Sequence, residues 1–171
     1  MKIYAREGGR PVTLAPLLAE RMEQHPYEQA HRGMVLACHD VMIAYDGGLL
    51  LIVRDNAPAR DELWCIGGRM ERGMTPEASA EQKVREECGL TLRDLRTMGC
   101  ARTWFQTDPF GHGGGTDSFN LLMFGRGEGE LRLDALHSRP RVVRPADYTE
   151  AFRADLHPYI RDFMDDVMPL L

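Results

Sequence analysis

Residues 67–90 hold the arrangement that most restricts how this chain can fold. Gly67-Gly68-Arg69-Met70-Glu71-Arg72-Gly73-Met74-Thr75-Pro76-Glu77 leads into a stretch that closes on Val84-Arg85-Glu86-Glu87-Cys88-Gly89-Leu90. Two glycines open a loop, Thr75 is a natural N-cap, Pro76 suits the first helical position, and Gly89 stands where a left-handed residue would end the helix. The segment is expected to be loop, helix and stop. Glu87 lies one turn after Lys83 and Glu86 one turn after Gln82, so each pair shares a face, while Ala78, Ala80 and Val84 are left for packing. Adjacent acids at a helix C-terminus oppose the macrodipole, which favours cations there. An oxygen-liganded divalent cation would account for them, since Mg2+ takes one or two protein carboxylates and completes its shell with water and substrate phosphate. A solvated acidic pair is the alternative.

The flanks supply a sheet. Two apolar runs, 34–45 and 49–53, are joined by Asp46-Gly47-Gly48, a strong hairpin signal. A polar loop, 54–60, separates them from a short strand, Leu63-Trp64-Cys65-Ile66, that feeds the glycines. Strand, glycine loop and helix N-terminus together suit a phosphate, because backbone N–H groups can face an anion with no side chain in the way. Beyond the helix, 95–105 and 118–124 read as strands, 131–133 as another short one, and 141–143 as the end of the sheet. The glycine-rich loop 111–115 between the two long strands is expected to be a mobile hairpin tip, with a flap over a substrate as the alternative. Residues 146–167 carry one or two helices interrupted near Pro158. Before the sheet, Leu14, Leu17, Leu18 and Met22 give a helical pattern that starts near Thr13 and stops before His25-Pro26. This is an N-terminal extension, residues 1–30, expected to pack on the main domain, 31–171, or on a second subunit as a homodimer. The element order is that of an α/β sandwich with a mixed β-sheet.

With 171 residues and 43% hydrophobic content the chain is large enough for one sizeable core. A net charge of −5 without a basic run argues against general nucleic-acid binding and leaves a small anion as the partner. Cys38, Cys65, Cys88 and Cys100 lack C-x-x-C spacing and are expected to be buried free thiols. No apolar run approaches the ~20 residues that span a bilayer and no signal peptide is apparent, so a cytoplasmic protein without membrane contact is the expectation.

The central stretch resembles a Nudix box, whose pattern is Gly, five residues, Glu, seven residues, then Arg-Glu-hydrophobe-any-Glu-Glu-any-Gly-hydrophobe. With Gly68 first, Val84, Glu86, Glu87, Gly89 and Leu90 fall into register without an insertion. Met74, Gln82 and Lys83 depart from it, and Lys83 removes a position at which the family commonly binds metal. The chain is most similar to the GDP-mannose mannosyl hydrolases, a group with a degenerate box that retains the acid matched by Glu87. The resemblance includes 50–54 with Asn56 and Pro58, Gly67-Gly68-Arg69, Gly115-Thr116-Asp117, and His137, five residues before the strand position held by Val142. Leu136 stands where those enzymes have Gln.

The resemblance covers roughly residues 34–152 and implies an α/β/α sandwich. It also implies Mg2+ or Mn2+ held by Glu87, the Gly68 carbonyl and Glu86; Arg54 and Arg69 on the phosphates; and His137 as general base. In the mannosyl hydrolases water attacks the sugar carbon and the nucleoside diphosphate leaves. In ordinary Nudix enzymes it attacks phosphorus. A Nudix-fold module that binds a nucleotide or a protein without catalysis is the third reading, favoured by Met74, Gln82, Lys83 and Leu136, whereas Glu87 with His137 favours an enzyme.

Overall fold

The computed structural model describes residues 2–7, 10–18 and 22–171. A small antiparallel ribbon, β1 (Arg6–Glu7) and β2 (Arg10–Pro11), comes first. The expected helix on Leu14, Leu17, Leu18 and Met22 is not what forms. Ala15–Leu17 make one 3-10 turn, those four side chains are exposed, and residues 19–21 of the pattern lie outside the described residues. The helix comes later, as α1 (Gln24–Gly33), with Pro26 inside its first turn, where an N–H is not required. Its inner face is set by Tyr27 and His31, one turn apart, rather than by leucines.

β3 (Leu36–Tyr45) and β4 (Gly48–Arg54) form the hairpin foreseen, with Tyr45 opposite Gly48. Asp46 and Gly47 both have positive φ, 45° and 76°, as a two-residue turn matched to strand twist requires. The next apolar run divides: β5 (Leu63–Trp64) pairs with β4, and β6 (Ile66–Arg69) crosses to pair with β3. α2 (Pro76–Cys88) follows as expected. Thr75 Oγ1 accepts from the Ala78 N–H at 3.2 Å, Pro76 opens the helix, and Gly89 closes it at φ 72°. β7 (Thr91–Phe105) and β8 (Thr116–Glu128) are long antiparallel partners, β8 runs parallel to β3, and β9 (His137–Val143) lies along β4. The result is one mixed sheet of seven strands. Residues 131–133 are not a strand, because the chain there is tied to the end of α2 instead, Arg132 N–H to the Cys88 carbonyl at 3.0 Å. Two helices end the chain, α3 (Glu150–Ala154) and α4 (Pro158–Val167), with Pro158 starting the second.

Adjacent residues of β3 show which helix covers which face. His39 Nε2 meets Ser79 Oγ of α2 at 2.9 Å, whereas Asp40 accepts a short hydrogen bond from the Tyr159 hydroxyl of α4. Successive side chains of a strand point to opposite faces, so α2 and α4 sandwich the sheet. Val41, Met42 and Ile43 are accordingly all fully buried, as in a strand covered on both sides. Among the described residues no helix is long and apolar enough to cross a membrane. Cys38, Cys65 and Cys88 are buried free thiols as expected, but Cys100 is exposed because it lies on the outer strand β7.

Asp40 makes the α4 contact sensitive to pH. Burial pushes its carboxyl up to about 6, against the lowering effects of the Tyr159 hydrogen bond and of Arg54. In the unfolded chain it titrates near ~3.9, so between roughly pH 4 and pH 6 folding takes up a proton. The stability of the neutral buried form is therefore complete at the acid end of that window and is lost as pH rises through it. Asp40→Asn is expected to flatten stability between roughly pH 4 and 6 and to raise it by about 1–3 kcal/mol near neutrality. Thermal melts from acid to neutral pH check this; a variant curve parallel to the wild type overturns it.

Candidate active site

The face of the sheet that carries Asp40 is hollow. Leu36, Cys38 and Asp40 of β3, Ser118 and Asn120 of β8, and Thr103 and Phe105 of β7 line a cavity of about 570 Å³, a size suited to a nucleotide-like ligand. Its floor is polar: Thr103 and Ser118 hydroxyls meet at 2.8 Å and the Asn120 amide donates to Thr103 at 3.0 Å. Tyr27 and His31 of α1 form one wall, residues 56–59 another, and Pro109 with Phe110 a third. The 111–115 loop is neither a bare tip nor free of the body. Asp108 accepts the N–H groups of Phe110, His112 and Gly113 at 2.9–3.0 Å, His112 contacts His31 at 2.9 Å, and Phe110 packs edge-on to Tyr27. Asp117 is occupied by a two-pronged hydrogen bond from Arg102.

One side of the cavity is cationic. Arg54 ends β4, where its Nε is buried with no hydrogen-bond partner and its terminal nitrogen reaches Asn56 at a loose 3.4 Å. Arg69 ends β6, with its guanidinium 4.5 Å above the Tyr27 ring and 3.6 Å from Glu71. Between them run Gly67 and Gly68; any Cβ on Gly67 would collide with the Asp40 carboxylate and with the His39 carbonyl, 2.6 Å away, so only glycine lets β6 lie this close to β3. Lys83 and Glu87 reach the same wall from α2.

Glu87 is the centre of the acid–base group. Its Oε1 is 3.6 Å from Lys83 Nζ, its Oε2 is 3.8 Å from His137 Nε2, and Oε2 is buried with no hydrogen-bond partner. Burial raises its carboxyl above the ordinary range, with Lys83 and His137 acting in the opposite direction. His137 is placed by the β4–β9 register, which sets it opposite Arg54, and its side chain is buried behind Glu87. Its Nδ1 lies 2.6 Å from Asp134 Oδ1. With that carboxylate accepting from Nδ1–H, the neutral imidazole has its lone pair on Nε2, on the side of Glu87. Asp134 is held in turn by its own N–H, which donates to the Glu87 carbonyl at 2.9 Å.

Of the residues singled out from the sequence, Arg54, Gly68, Arg69 and Glu87 share the cavity wall and His137 stands just behind it. Glu86 does not join them: it is on the exposed side of α2, where it accepts from Gln82 Nε2 at 2.7 Å. Sequence reasoning missed Asp134, Asp40 and the polar floor. The only signal for Asp134 was its place three residues before His137. As for a divalent cation, the donors fit one: the unpartnered Glu87 Oε2, in a cavity wall that also holds the Gly67-Gly68 backbone, is a hard-oxygen position that substrate phosphate and water could complete. Among the described residues there is no group of three or more His, Cys, Asp or Glu side chains able to hold an ion by themselves.

Comparison with known proteins agrees with this layout. The low-salt glycan biosynthesis protein Agl8 of Haloferax volcanii is 26% identical over 149 residues, spanning 85% of this chain and 90% of that protein. Among solved structures, a MutT NUDIX hydrolase from Burkholderia pseudomallei superposes with a TM-score of 0.62 at 18% identity, covering 78% of this chain and 98% of that one. The NUDIX domain of Shewanella oneidensis NrtR, complexed with ADP ribose, does so with a TM-score of 0.59 at 14% identity, covering 85% and 98%. These likenesses show the fold. The profile of the NUDIX domain family matches residues 34–167, from just before β3 to the end of α4. By that match the chain belongs to the Nudix family of hydrolases.

Proposed function

We propose that this chain hydrolyses a nucleoside diphosphate sugar, releasing the nucleoside diphosphate and the sugar, with one Mg2+ or Mn2+. The observation that carries the reading is the Asp134–His137 pair, whose acceptor end faces Glu87 at the wall where Arg54, Arg69 and Lys83 gather. Arg54, with an unpartnered buried Nε, and Arg69, beside the glycines, bind the diphosphate, a task suited to a planar fork of donors. The polar floor of Thr103, Ser118 and Asn120 suits a hydroxylated group, and the relative from Haloferax volcanii is named for glycan biosynthesis. Residues 1–30 are an extension of the 31–171 domain that helps close the cavity through Tyr27.

Glu87 and the Gly68 carbonyl would hold the cation, with no part for Glu86, and the bound cation would neutralise charge on the departing diphosphate. His137 Nε2 takes a proton from water as the water oxygen bonds to the sugar carbon. The bond from that carbon to the diphosphate oxygen breaks, and its electron pair leaves with the nucleoside diphosphate. Asp134 keeps the ring in the tautomer that can accept.

The test is incubation with Mn2+ and a panel of nucleoside diphosphate sugars in 18O-labelled water. Label in the free sugar is the expected result. Label in phosphate would make the chain a pyrophosphohydrolase, and binding of the panel without turnover would make it a binding module.

A further inference from the structure

We propose that the Lys83 ammonium is a built-in cation of the diphosphate cradle, which limits the site to a single divalent ion. This rests on the reading that the cavity holds a diphosphate. Lys83 projects from α2 one turn before Glu87, onto the wall shared with Arg54 and Arg69. Its amine also lies against the glycine backbone: a Cβ built on Gly68 would be 3.6 Å from Lys83 Cε and 3.8 Å from Nζ. Nζ is thus near both Glu87 and Gly68, on the wall that a diphosphate would meet.

An ordinary helix-surface pair does not account for this. Exposed i,i+4 pairs are mobile and weak, worth roughly a few tenths of a kcal/mol. Here the Lys83 and Glu87 side chains are only 16% and 14% exposed, and their 3.6 Å separation exceeds an ordinary hydrogen bond. The contact of Nζ with Glu87 Oε1 is long for a hydrogen bond and uses at most one of its three N–H donors, so the others can turn to an anion at the cavity wall. A mostly buried ammonium with a single long carboxylate contact keeps donors to spare, and phosphate oxygens are the ligand chemistry that would satisfy them.

The acid supply leads to the same conclusion. Of the acids at the end of α2, only Glu87 faces the cavity, since Glu86 accepts from Gln82 on the outside. The other carboxylates at the cavity, Asp40 and Glu71, are engaged by Tyr159 and Arg69. Glu87 can therefore anchor one divalent ion, whereas a second beside it on α2 would meet Lys83 instead of an acid and would be repelled. An ammonium held by the chain needs no recruitment from solution. Part of the diphosphate affinity is therefore expected to survive removal of all metal, and to depend on Lys83.

Two measurements on the full chain test this. Calorimetric titration with GDP, ADP and inorganic pyrophosphate in EDTA should show binding by the wild type, a loss of about tenfold or more in Lys83→Met, and recovery in Lys83→Arg. Thermal melts check that each variant is folded. Electron paramagnetic resonance of added Mn2+ should show one ion per wild-type chain and two in Lys83→Glu, where an acid replaces the cation. Equal affinity of Lys83→Met and wild type in EDTA would overturn the proposal, and so would two ions in the wild type or one in Lys83→Glu. The Mn2+ count on the wild type needs no variant. A wild type that binds none of these anions, with or without Mn2+, would remove the diphosphate reading itself, whereas an unchanged Lys83→Met beside a wild type that binds would remove only the role of Lys83.

Discussion

Glu87→Gln is expected to lower turnover by about a thousandfold or more while leaving the fold at least as stable as before. The substitution keeps the shape of the side chain and removes its charge. That charge has three neighbours: Lys83 Nζ at 3.6 Å, His137 Nε2 at 3.8 Å, and whatever occupies the space at the unpartnered Oε2. Without it a divalent ion loses the one carboxylate that α2 turns to the cavity, a contribution of several kcal/mol to transition-state charge at roughly tenfold in rate per 1.4 kcal/mol. Stability should move the other way or not at all. Burial already pushes the Glu87 carboxyl above its usual range, so ionising it in the folded chain has a cost that Gln does not carry. Loss of activity with an unchanged or higher melting temperature would therefore mark Glu87 as a functional residue placed at the expense of stability. Unaltered activity would sink the assignment of the site. Steady-state rates and thermal melts of the same preparation decide it.

The readable part of the molecule was the part whose causes are local. Thr75, Pro76 and Gly89 set the limits of α2 by capping and backbone conformation alone, and Asp46-Gly47 set the β3–β4 hairpin in the same way. The N-terminal helix was misplaced for the same reason in reverse. Leu14, Leu17, Leu18 and Met22 have helical spacing but find no core to cover, whereas α1 forms over a polar stretch because Tyr27 and His31 meet Arg69, Phe110 and His112 from distant segments. Spacing measures only what a helix could bury.

The site divides along the same line. Arg69, Gly68 and Glu87 belong to one continuous segment and could be singled out from its pattern. Glu86, adjacent to Glu87, could not be separated from it by spacing; the helix turns one carboxylate to the cavity and the other to Gln82. Asp40 sits in an apolar run, and its partner Tyr159 is 119 positions away. Asp134 depends on a loop that is neither strand nor helix and is positioned by hydrogen bonds to the end of α2. Nothing in the composition of 130–136 announces that return.

That loop supports the second large effect. His137→Ala is expected to slow the reaction by roughly a hundred- to ten-thousandfold, the range for a lost general base. Asp134→Asn should act through the same group with a smaller loss, about ten- to a hundredfold, because the imidazole remains but its orienting carboxylate does not. The 2.6 Å contact fixes Nδ1 as the donor; an amide can present either an oxygen or an NH2 group to it, so only part of the population keeps Nε2 ready to accept. If both residues serve one proton transfer, Asp134→Asn should have little further effect in a chain that already carries His137→Ala, since residues acting as a unit are not additive. Full additivity would mean that Asp134 works through the loop and α2 rather than through the imidazole. A change of less than about threefold in His137→Ala, far below the range for a general base, would remove His137 from the chemistry and leave the Asp134 contact as a brace between β9 and the end of α2.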